Sequence, residues 1–264
     1  MNNNPVGVFD SGVGGVTVVK AIQEELPREH LIYFGDTARF PYGPRPLDEV
    51  KKYVFEICEY LIGQDVKLIV IACNTGTAAG LKDAQKNFNV PILGVIEPGA
   101  RGAVLATKNR RIGVIGTKGT IESHAYDEAI HALDAGVEVK SGACPRFVDF
   151  AEGRGGQDGD ILEVAQEYLY PLLDAGIDTL ILGCTHYPML RDVIQQTVGS
   201  SVTLISSADE TALEVKETLV RRGLLNDGKN HPHDKFIVTG DRTSFLTLSQ
   251  SFLGRDISKV EEAV

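Results

Sequence analysis

One pattern occurs twice in this chain: a short apolar run that ends in a cysteine and small polar residues. The first copy is LIVIACNTGTA, from Leu68 to Ala78, and the second is TLILGCTHYP, from Thr179 to Pro188. An apolar run of this length before small polar residues is typical of a buried parallel strand that ends in a loop. Good helix formers follow the first copy, so its loop should also begin a helix. Ligands bind at the carboxyl ends of such strands, which is where Cys73 and Cys184 would lie.

A second pair of segments extends the repeat upstream. GVFDSG, from Gly7 to Gly12, is matched by GVIGTK, from Gly113 to Lys118, and each copy precedes its cysteine by nearly the same distance. Two strands with polar loops at their ends therefore recur in the same order in each half. This predicts an α/β protein with two similar lobes, each of which offers one cysteine.

Between and after the repeats, the sequence predicts three further features. A strand from Ile92 to Ile96 should end at Glu97-Pro98-Gly99, a natural boundary between the lobes. A single helix should run from about Ile121 to Leu133. The C-terminal tail should contain a strand from Phe236 to Thr239 and a helix near Ser244 to Leu253. The tail has no counterpart between the lobes and must pack on one of them, but its composition does not say which.

The composition argues against several classes of function. The chain has 264 residues and a formal net charge of −10, which disfavours nucleic acid and anionic membranes as partners because both require basic patches. No apolar run approaches the length of a transmembrane helix, and the N-terminus lacks the features of a signal peptide. We therefore expect a cytoplasmic protein with reduced thiols.

The sequence contains no recognisable cofactor motif. The loop from Asp10 to Gly15 does not complete G-x-G-x-x-G, because Thr17 stands where the third glycine is required, and no GxxxxGK[ST] segment occurs. The four cysteines lie far apart without a CxxC pair, which suits neither a zinc ribbon nor a disulfide scaffold. We expect no metal and no cofactor. The loop should instead bring backbone N–H groups and the side chains of Asp10 and Ser11 to a small ligand.

A proline-rich loop follows the second predicted strand. Its sequence is ARFPYGPRP, and its position after a strand makes Tyr42, Gly43 and Arg45 candidates for ligand contact. A surface loop stiffened by proline is an equally good interpretation from the sequence alone.

The cysteines of the repeat are candidate acid and base groups. A helix N-terminus favours the thiolate form of a cysteine, and Asp10 and His186 are close enough in the predicted fold to exchange protons with Cys73 and Cys184. A protease or amidase needs one nucleophile, so the second cysteine would be idle. Removal of a proton from one face of a carbon and delivery to the other needs two acid/base groups, which makes racemisation the best fit.

The other two cysteines have ordinary surroundings. Cys58 belongs to the apolar face of a predicted helix from Leu47 to Ile62, so it should pack in the core. Cys144 precedes Pro145 in a predicted loop, and nothing nearby in the sequence suggests that it is reactive.

Five segments resemble those of the glutamate racemase family. They are FDSGVGG (Phe9 to Gly15), YFGDTARFPYG (Tyr33 to Gly43), ACNTGTA (Ala72 to Ala78), GVIEPG (Gly94 to Gly99) and GCTHYP (Gly183 to Pro188). The resemblance spans nearly the whole chain in the expected order. It implies a cofactor-independent enzyme that interconverts L- and D-glutamate and supplies D-glutamate to peptidoglycan synthesis.

The resemblance also implies an architecture. It indicates two flavodoxin-like lobes with mainly parallel sheets, related by a pseudo-twofold axis, with the active site in the cleft between them. The tail would return to the first lobe, so that residues 1–97 and 209–264 form one lobe and residues 98–208 form the other. The family resemblance further implies a homodimer.

Residue roles can be carried over from the same motifs. The two catalytic cysteines of the family correspond to Cys73 and Cys184, and Asp10, His186 and Glu152 correspond to further catalytic groups. The substrate contacts implied by the resemblance are Asp10, Ser11, Tyr42, Gly43, Asn74, Thr75, Thr117, Thr185 and His186. Most of these are neutral donors, as an acidic substrate in an acidic protein requires.

Two alternatives remain open at this point. The related aspartate racemases share the two-cysteine plan, but their second motif resembles GCTE, whereas His186 follows Thr185 here. The chain could also be a non-catalytic glutamate-binding or regulatory protein. Binding alone would not need either thiol, which argues against that second alternative.

Overall fold

The computed structural model describes residues 2–155, 159–228, 233–255, 257 and 259–263. The chain forms two compact units. The first unit consists of Met1–Val95 and Ala208–Val264, and the second consists of Ile96–Ser207. The division expected from the sequence placed these boundaries after residues 97 and 208.

The first unit is built on a parallel sheet. Numbered along the whole chain, its first elements are β1 (Val6–Asp10), α1 (Val16–Glu25), β2 (Leu31–Gly35), α2 (Leu47–Ile62), β3 (Leu68–Ile71), α3 (Asn74–Asn87) and β4 (Ile92–Gly94). The chain returns to this unit with α10 (Ser207–Arg222), β9 (Lys235–Val238), α11 (Arg242–Leu253) and β10 (Val260–Glu262). The six strands lie in the order β10-β9-β2-β1-β3-β4, and all neighbouring pairs are parallel.

Helices cover both faces of this sheet. Residues of α2 and α3 pack with Phe9, Ile69 and Ile71 on one face, while Tyr33 stacks on Phe245 of α11. Because side chains alternate along a strand, Tyr33 lies on the face opposite to Phe34. All residues of β1, β2 and β3 are buried, as expected for parallel strands that are covered on both sides.

The second unit has the same kind of construction. Its elements are α4 (Ile96–Ala106), β5 (Arg111–Gly116), α5 (Lys118–Glu122), α6 (Ala125–Leu133), β6 (Glu138–Ala143), α7 (Arg146–Ala151), α8 (Ile161–Asp174), β7 (Thr179–Gly183), α9 (Arg191–Val198) and β8 (Thr203–Ser206). The four strands are parallel in the order β6-β5-β7-β8. The prediction of an α/β fold with mainly parallel sheets in two lobes is therefore confirmed.

Two local predictions are wrong. The strand predicted to run to Ile96 ends at Gly94, and α4 begins at Ile96, so Glu97-Pro98-Gly99 belongs to a helix. Proline is tolerated in a first helical turn because its missing N–H would have no partner there. The single helix predicted from Ile121 to Leu133 is interrupted at His124, which has φ 55° and separates α5 from α6.

The C-terminal tail joins the sheet of the first unit. Strand β9 pairs with β2, and β10 pairs with β9. The sequence did not predict β10. Its three residues, Val260 to Glu262, are too few to show the alternation of apolar and polar side chains that is typical of a strand. None of the described helices is both long and apolar enough to cross a membrane.

Gly183 ends β7 immediately before Cys184 and packs against the neighbouring strand. A Cβ at this position would lie 2.6 Å from the carbonyl oxygen of Ile115 and 3.0 Å from the ring of Tyr126. Because a strand backbone cannot move aside freely, we expect Gly183→Ala to lower the free energy of unfolding by about 1–3 kcal/mol. Urea denaturation would measure the loss.

A matched glycine controls for this effect. A Cβ on Gly142 in β6 would come no closer than 3.8 Å to Leu172, so Gly142→Ala should change the free energy of unfolding by no more than about 1 kcal/mol. Equal losses in the two variants would contradict the steric explanation.

Candidate active site

The polar ends of β1 and β3 lie side by side in the first unit. Phe9 of β1 is opposite Ile71 of β3, so Asp10 and Cys73 emerge at the same edge of the sheet. The Ser11 hydroxyl donates to Asp10 Oδ1 at 2.9 Å, and Cys73 Sγ lies 3.9 Å from Ser11 Oγ. All three side chains are buried. The structure therefore brings Asp10, Ser11 and Cys73 together, as the strand order requires.

Cys73 also caps a helix. Its Sγ accepts a hydrogen bond from the Gly76 backbone N–H at 3.3 Å, in the way that a serine or threonine side chain usually does at a helix N-terminus. An N–H group directed at sulfur, at the positive end of a helix, stabilises negative charge on that sulfur. Asn74 and Thr75 form the first turn of this helix, and both are buried.

The proline-rich loop contributes Tyr42, which is 1% exposed and belongs to the same core cluster as Cys73. The Tyr42 hydroxyl donates to the carboxylate of Asp36. Burial raises the pKa of Tyr42, and the Asp36 carboxylate raises it further. The Tyr42 hydroxyl therefore gives its single proton to Asp36, and Gly43, the next residue of the loop, is half-buried. Arg45 instead pairs with Glu49 at 2.7 Å.

The second unit repeats this arrangement at β5 and β7. Gly116 and Gly183 are opposite each other at the ends of these strands, so Thr117 and Cys184 follow them at one edge of the sheet. Thr117 caps α5 by accepting from the Thr120 backbone N–H at 3.4 Å. Thr185, directly after Cys184, is buried.

A chain of two polar side chains, His186 and Glu152, lies beside Cys184. The Sγ atom is 3.9 Å from Nδ1 of His186, and Nε2 of the same ring is 2.9 Å from Oε1 of Glu152. The side chains of His186 and Glu152 are 3% and 7% exposed. When the imidazole is neutral and Nε2 donates to the carboxylate, Nδ1 is the acceptor nitrogen and is the ring atom that faces Cys184 Sγ.

Sequence reasoning did not identify Arg154 as a member of this group. Its guanidinium lies 2.8 Å from Oε2 of Glu152, so Glu152 contacts a cation on one oxygen and the imidazole of His186 on the other. The only sequence signal was the position of Arg154 two residues after Glu152, and such a spacing is common in turns.

Cys58 and Cys144 have different surroundings. Cys58 is fully buried in the core of the first unit, and burial raises the pKa of its thiol to about 12. Cys144 is fully buried in the core of the second unit, and burial raises the pKa of its thiol as well. The prediction that Cys58 packs in the core is confirmed. Within the described ranges, no three His, Cys, Asp or Glu side chains are grouped so that they could hold a metal ion.

Known proteins share both the sequence and the fold of this chain. Residues 6–215 match the model of the Asp/Glu/hydantoin racemase family. The glutamate racemase of Corynebacterium diphtheriae is 52% identical over 263 residues, which cover 99% of this chain and 98% of that protein.

Solved structures give the same result for the fold. The glutamate racemase isoform RacE1 from Bacillus anthracis matches with a TM-score of 0.95 and 44% identity, over 100% of this chain and 98% of that one. The glutamate racemase of Francisella tularensis, which was solved in complex with D-glutamate, matches with a TM-score of 0.92 and 36% identity over the same shares of the two chains.

Proposed function

This chain belongs to the Asp/Glu/hydantoin racemase family and is a racemase, and we propose that it interconverts L-glutamate and D-glutamate. The observation that carries the choice of substrate is the similarity along the full chain to glutamate racemases, one of which has D-glutamate bound. The two strand-end sites support the choice of reaction, because each offers one buried thiol with polar neighbours.

In the proposed mechanism, Cys73 and Cys184 are the two acid/base groups. One thiolate takes the Cα proton of glutamate, which leaves a carbanion, and the thiol of the other cysteine gives a proton to the opposite face of that carbon. One thiolate is consumed and one is formed, so the reaction needs no external acid or base. The N–H of Gly76 that points at Cys73 Sγ supports the thiolate form of this residue.

Each thiol has polar neighbours that can exchange protons with it and so return it to its starting protonation state. Ser11 lies between Cys73 and the Asp10 carboxylate, and His186 lies between Cys184 and the Glu152 carboxylate. In this proposal Asp10 and His186 exchange protons with the thiols, while Glu152 orients the imidazole.

Local donors hold the acidic substrate in this proposal. The net charge of −10 provides no long-range attraction for glutamate, so neutral hydrogen-bond donors must bind its two carboxylates. The groups that we assign to this role are Ser11, Asn74, Thr75, Thr117, Thr185 and the main chain of Tyr42 and Gly43.

The cellular role follows from the same assignment. We propose that the reaction uses neither a metal nor an organic cofactor, that the enzyme is a cytoplasmic homodimer, and that its D-glutamate enters peptidoglycan synthesis. The support for these points is the resemblance to the glutamate racemase family.

Racemisation in heavy water tests the two-base mechanism. The thiol that protonates the product has exchanged with solvent, so D-glutamate formed in the first few per cent of reaction from L-glutamate should carry deuterium at Cα. The remaining L-glutamate should stay largely protiated. Proton NMR of the separated enantiomers would measure both. Substantial retention of the original hydrogen in early product would show that one base serves both faces.

The same assay separates glutamate from aspartate as the substrate. We expect turnover of glutamate and much slower turnover of aspartate at equal concentrations. A preference for aspartate would refute the proposed substrate but leave the two-base mechanism intact.

A further inference from the structure

The C-terminal segment reaches the site of the first unit. Strand β9 pairs with β2 so that Val238 is opposite Gly35, and the N–H of Thr239 donates to the carbonyl of Gly35 at 3.2 Å. Thr239 therefore lies at the same edge of the sheet as Asp10 and Cys73. This segment is outside residues 6–215, which match the family model.

The hydroxyl of Thr239 makes two hydrogen bonds to the polypeptide that follows β2. It donates to Asp36 Oδ1 at 2.9 Å and accepts from the Ala38 backbone N–H at 3.1 Å. A hydroxyl has a single proton, and here that proton is given to a carboxylate, which is the stronger kind of hydrogen bond.

Gly240 shows independently how closely the two segments approach. Its N–H donates to Thr37 Oγ1 at 2.9 Å, and a Cβ on Gly240 would lie 2.8 Å from Thr37 Oγ1 and 3.1 Å from Ala38 N. Only a residue without a side chain fits against residues 37 and 38 at this distance. The contact of Thr239 with Asp36 is thus part of a tight junction between segments that are distant in the sequence.

Asp36 connects this junction to the proline-rich loop. The residue is 0% exposed, so its carboxylate depends on protein donors for all of its hydrogen bonds. Oδ1 accepts from Thr239, whereas Oδ2 accepts from the Tyr42 hydroxyl and from Arg39 Nε at 2.6 Å. The C-terminal segment and the loop are therefore bound to opposite oxygens of one buried carboxylate.

We propose that Thr239 is a positioning residue for the site of the first unit: through Asp36 it orients Tyr42, and with it the main chain of Tyr42 and Gly43. This inference rests on the proposed function, in which that main chain binds glutamate. Loss of the Thr239 hydroxyl would remove the hydrogen bond to Asp36 Oδ1. The carboxylate would then rotate, and the Tyr42 side chain, which is bonded to Oδ2, would move with it.

Substitution of Thr239 by valine tests the proposal, since valine has the same shape without the hydroxyl. Because Thr239 acts on substrate contacts and not on the thiols, the KM for glutamate should rise on the order of tenfold while kcat changes much less. Thr239→Ser keeps the hydroxyl and should restore the KM. The matched control is Thr247→Val. Among the described contacts, the exposed Thr247 hydroxyl donates only to the carbonyl of Thr243. Its removal from the same C-terminal segment should leave the KM unchanged.

A second readout does not depend on turnover. The chain contains eight tyrosines and no tryptophan, so incorporation of 3-fluorotyrosine gives a fluorine NMR spectrum in which Tyr42→Phe identifies the resonance of Tyr42. That resonance should shift in Thr239→Val and not in Thr247→Val. If Thr239→Val does not fold, Thr239→Ala takes its place in both assays.

The outcomes separate this inference from the proposed function. A folded Thr239→Val protein with an unchanged KM would overturn the inference, as would an unchanged Tyr42 resonance. Should the wild-type protein fail to racemise glutamate, the proposed function would be refuted, and the fluorine spectrum would still decide whether Thr239 orients Tyr42.

Discussion

Replacement of either Cys73 or Cys184 by serine is expected to lower the rate of glutamate racemisation by about 10²–10⁴-fold, the usual contribution of a positioned acid or base. A serine hydroxyl is a far weaker acid than a thiol, whose ordinary pKa is about 8.5, so almost no alkoxide forms near neutral pH. In the proposed mechanism, each cysteine acts as the base in one direction and as the acid in the other. Loss of either one should therefore impair both directions, which optical rotation measures from pure L- and pure D-glutamate.

Cys58 and Cys144 provide the control for this experiment. Both are free thiols buried in the cores of their units, and neither follows the polar end of β3 or β7. Cys58→Ser and Cys144→Ser place a hydroxyl in an apolar environment. They should therefore lower the free energy of unfolding, while the turnover of the folded protein should change little. Near wild-type activity in Cys73→Ser or Cys184→Ser would make the two-thiol mechanism untenable.

Replacement of Lys67 by methionine is expected to lower the free energy of unfolding by about 3–5 kcal/mol, the usual cost of leaving one partner of a buried ion pair alone. Lys67 Nζ lies 2.5 Å from Glu29 Oε2, and the two side chains are 0% and 2% exposed. Lys67 also donates to the carbonyl of Asn2 at 2.7 Å, while Glu29 Oε1 accepts from the Asn226 N–H at 2.8 Å. The pair thus joins the N-terminus, the segment before β2 and the segment after α10.

Urea denaturation would measure this loss against two comparisons. The double variant Lys67→Met with Glu29→Gln removes both charges and should recover part of the stability, because no unpaired charge remains buried. Lys51 and Asp83 form an exposed pair at 3.1 Å, with 39% and 46% of the side chains accessible, so Lys51→Met should have a much smaller effect. Similar losses in Lys67→Met and Lys51→Met would show that burial of the pair is unimportant.

The predictions that succeeded depend on local patterns. The apolar runs before Cys73 and Cys184 predicted β3 and β7, and the buried stripe of Leu47–Ile62 predicted α2 with the bounds that the structure has. The spacing of apolar residues, and the change from apolar to polar residues at the end of a strand, involve residues that are close together in the chain. Both can therefore be seen in the sequence. The same patterns predicted that Asp10 and Cys73 would be close, because the ends of adjacent parallel strands meet at one edge.

The predictions that failed depend on how the backbone adapts to its surroundings. Residues 121–133 have good helical periodicity, yet His124 adopts a left-handed conformation that separates α5 from α6. The strand from Ile92 was predicted to run to Ile96, but α4 begins there and holds Pro98 in its first turn, where a proline is tolerated. In both cases more than one backbone conformation is compatible with the local sequence.

By itself, the sequence determined the α/β class, the two strand-end cysteines and the polar residues that follow them, because each of these depends on spacing along the chain. Only the tertiary structure decided which further side chains contact the candidate site residues and their neighbours. Arg154 reaches Glu152 through a turn, and Thr239 reaches Asp36 across more than two hundred positions because β9 is placed beside β2. Hydrogen bonds and ion pairs form between groups that are close in space, and folding can bring such groups together from any separation in the sequence.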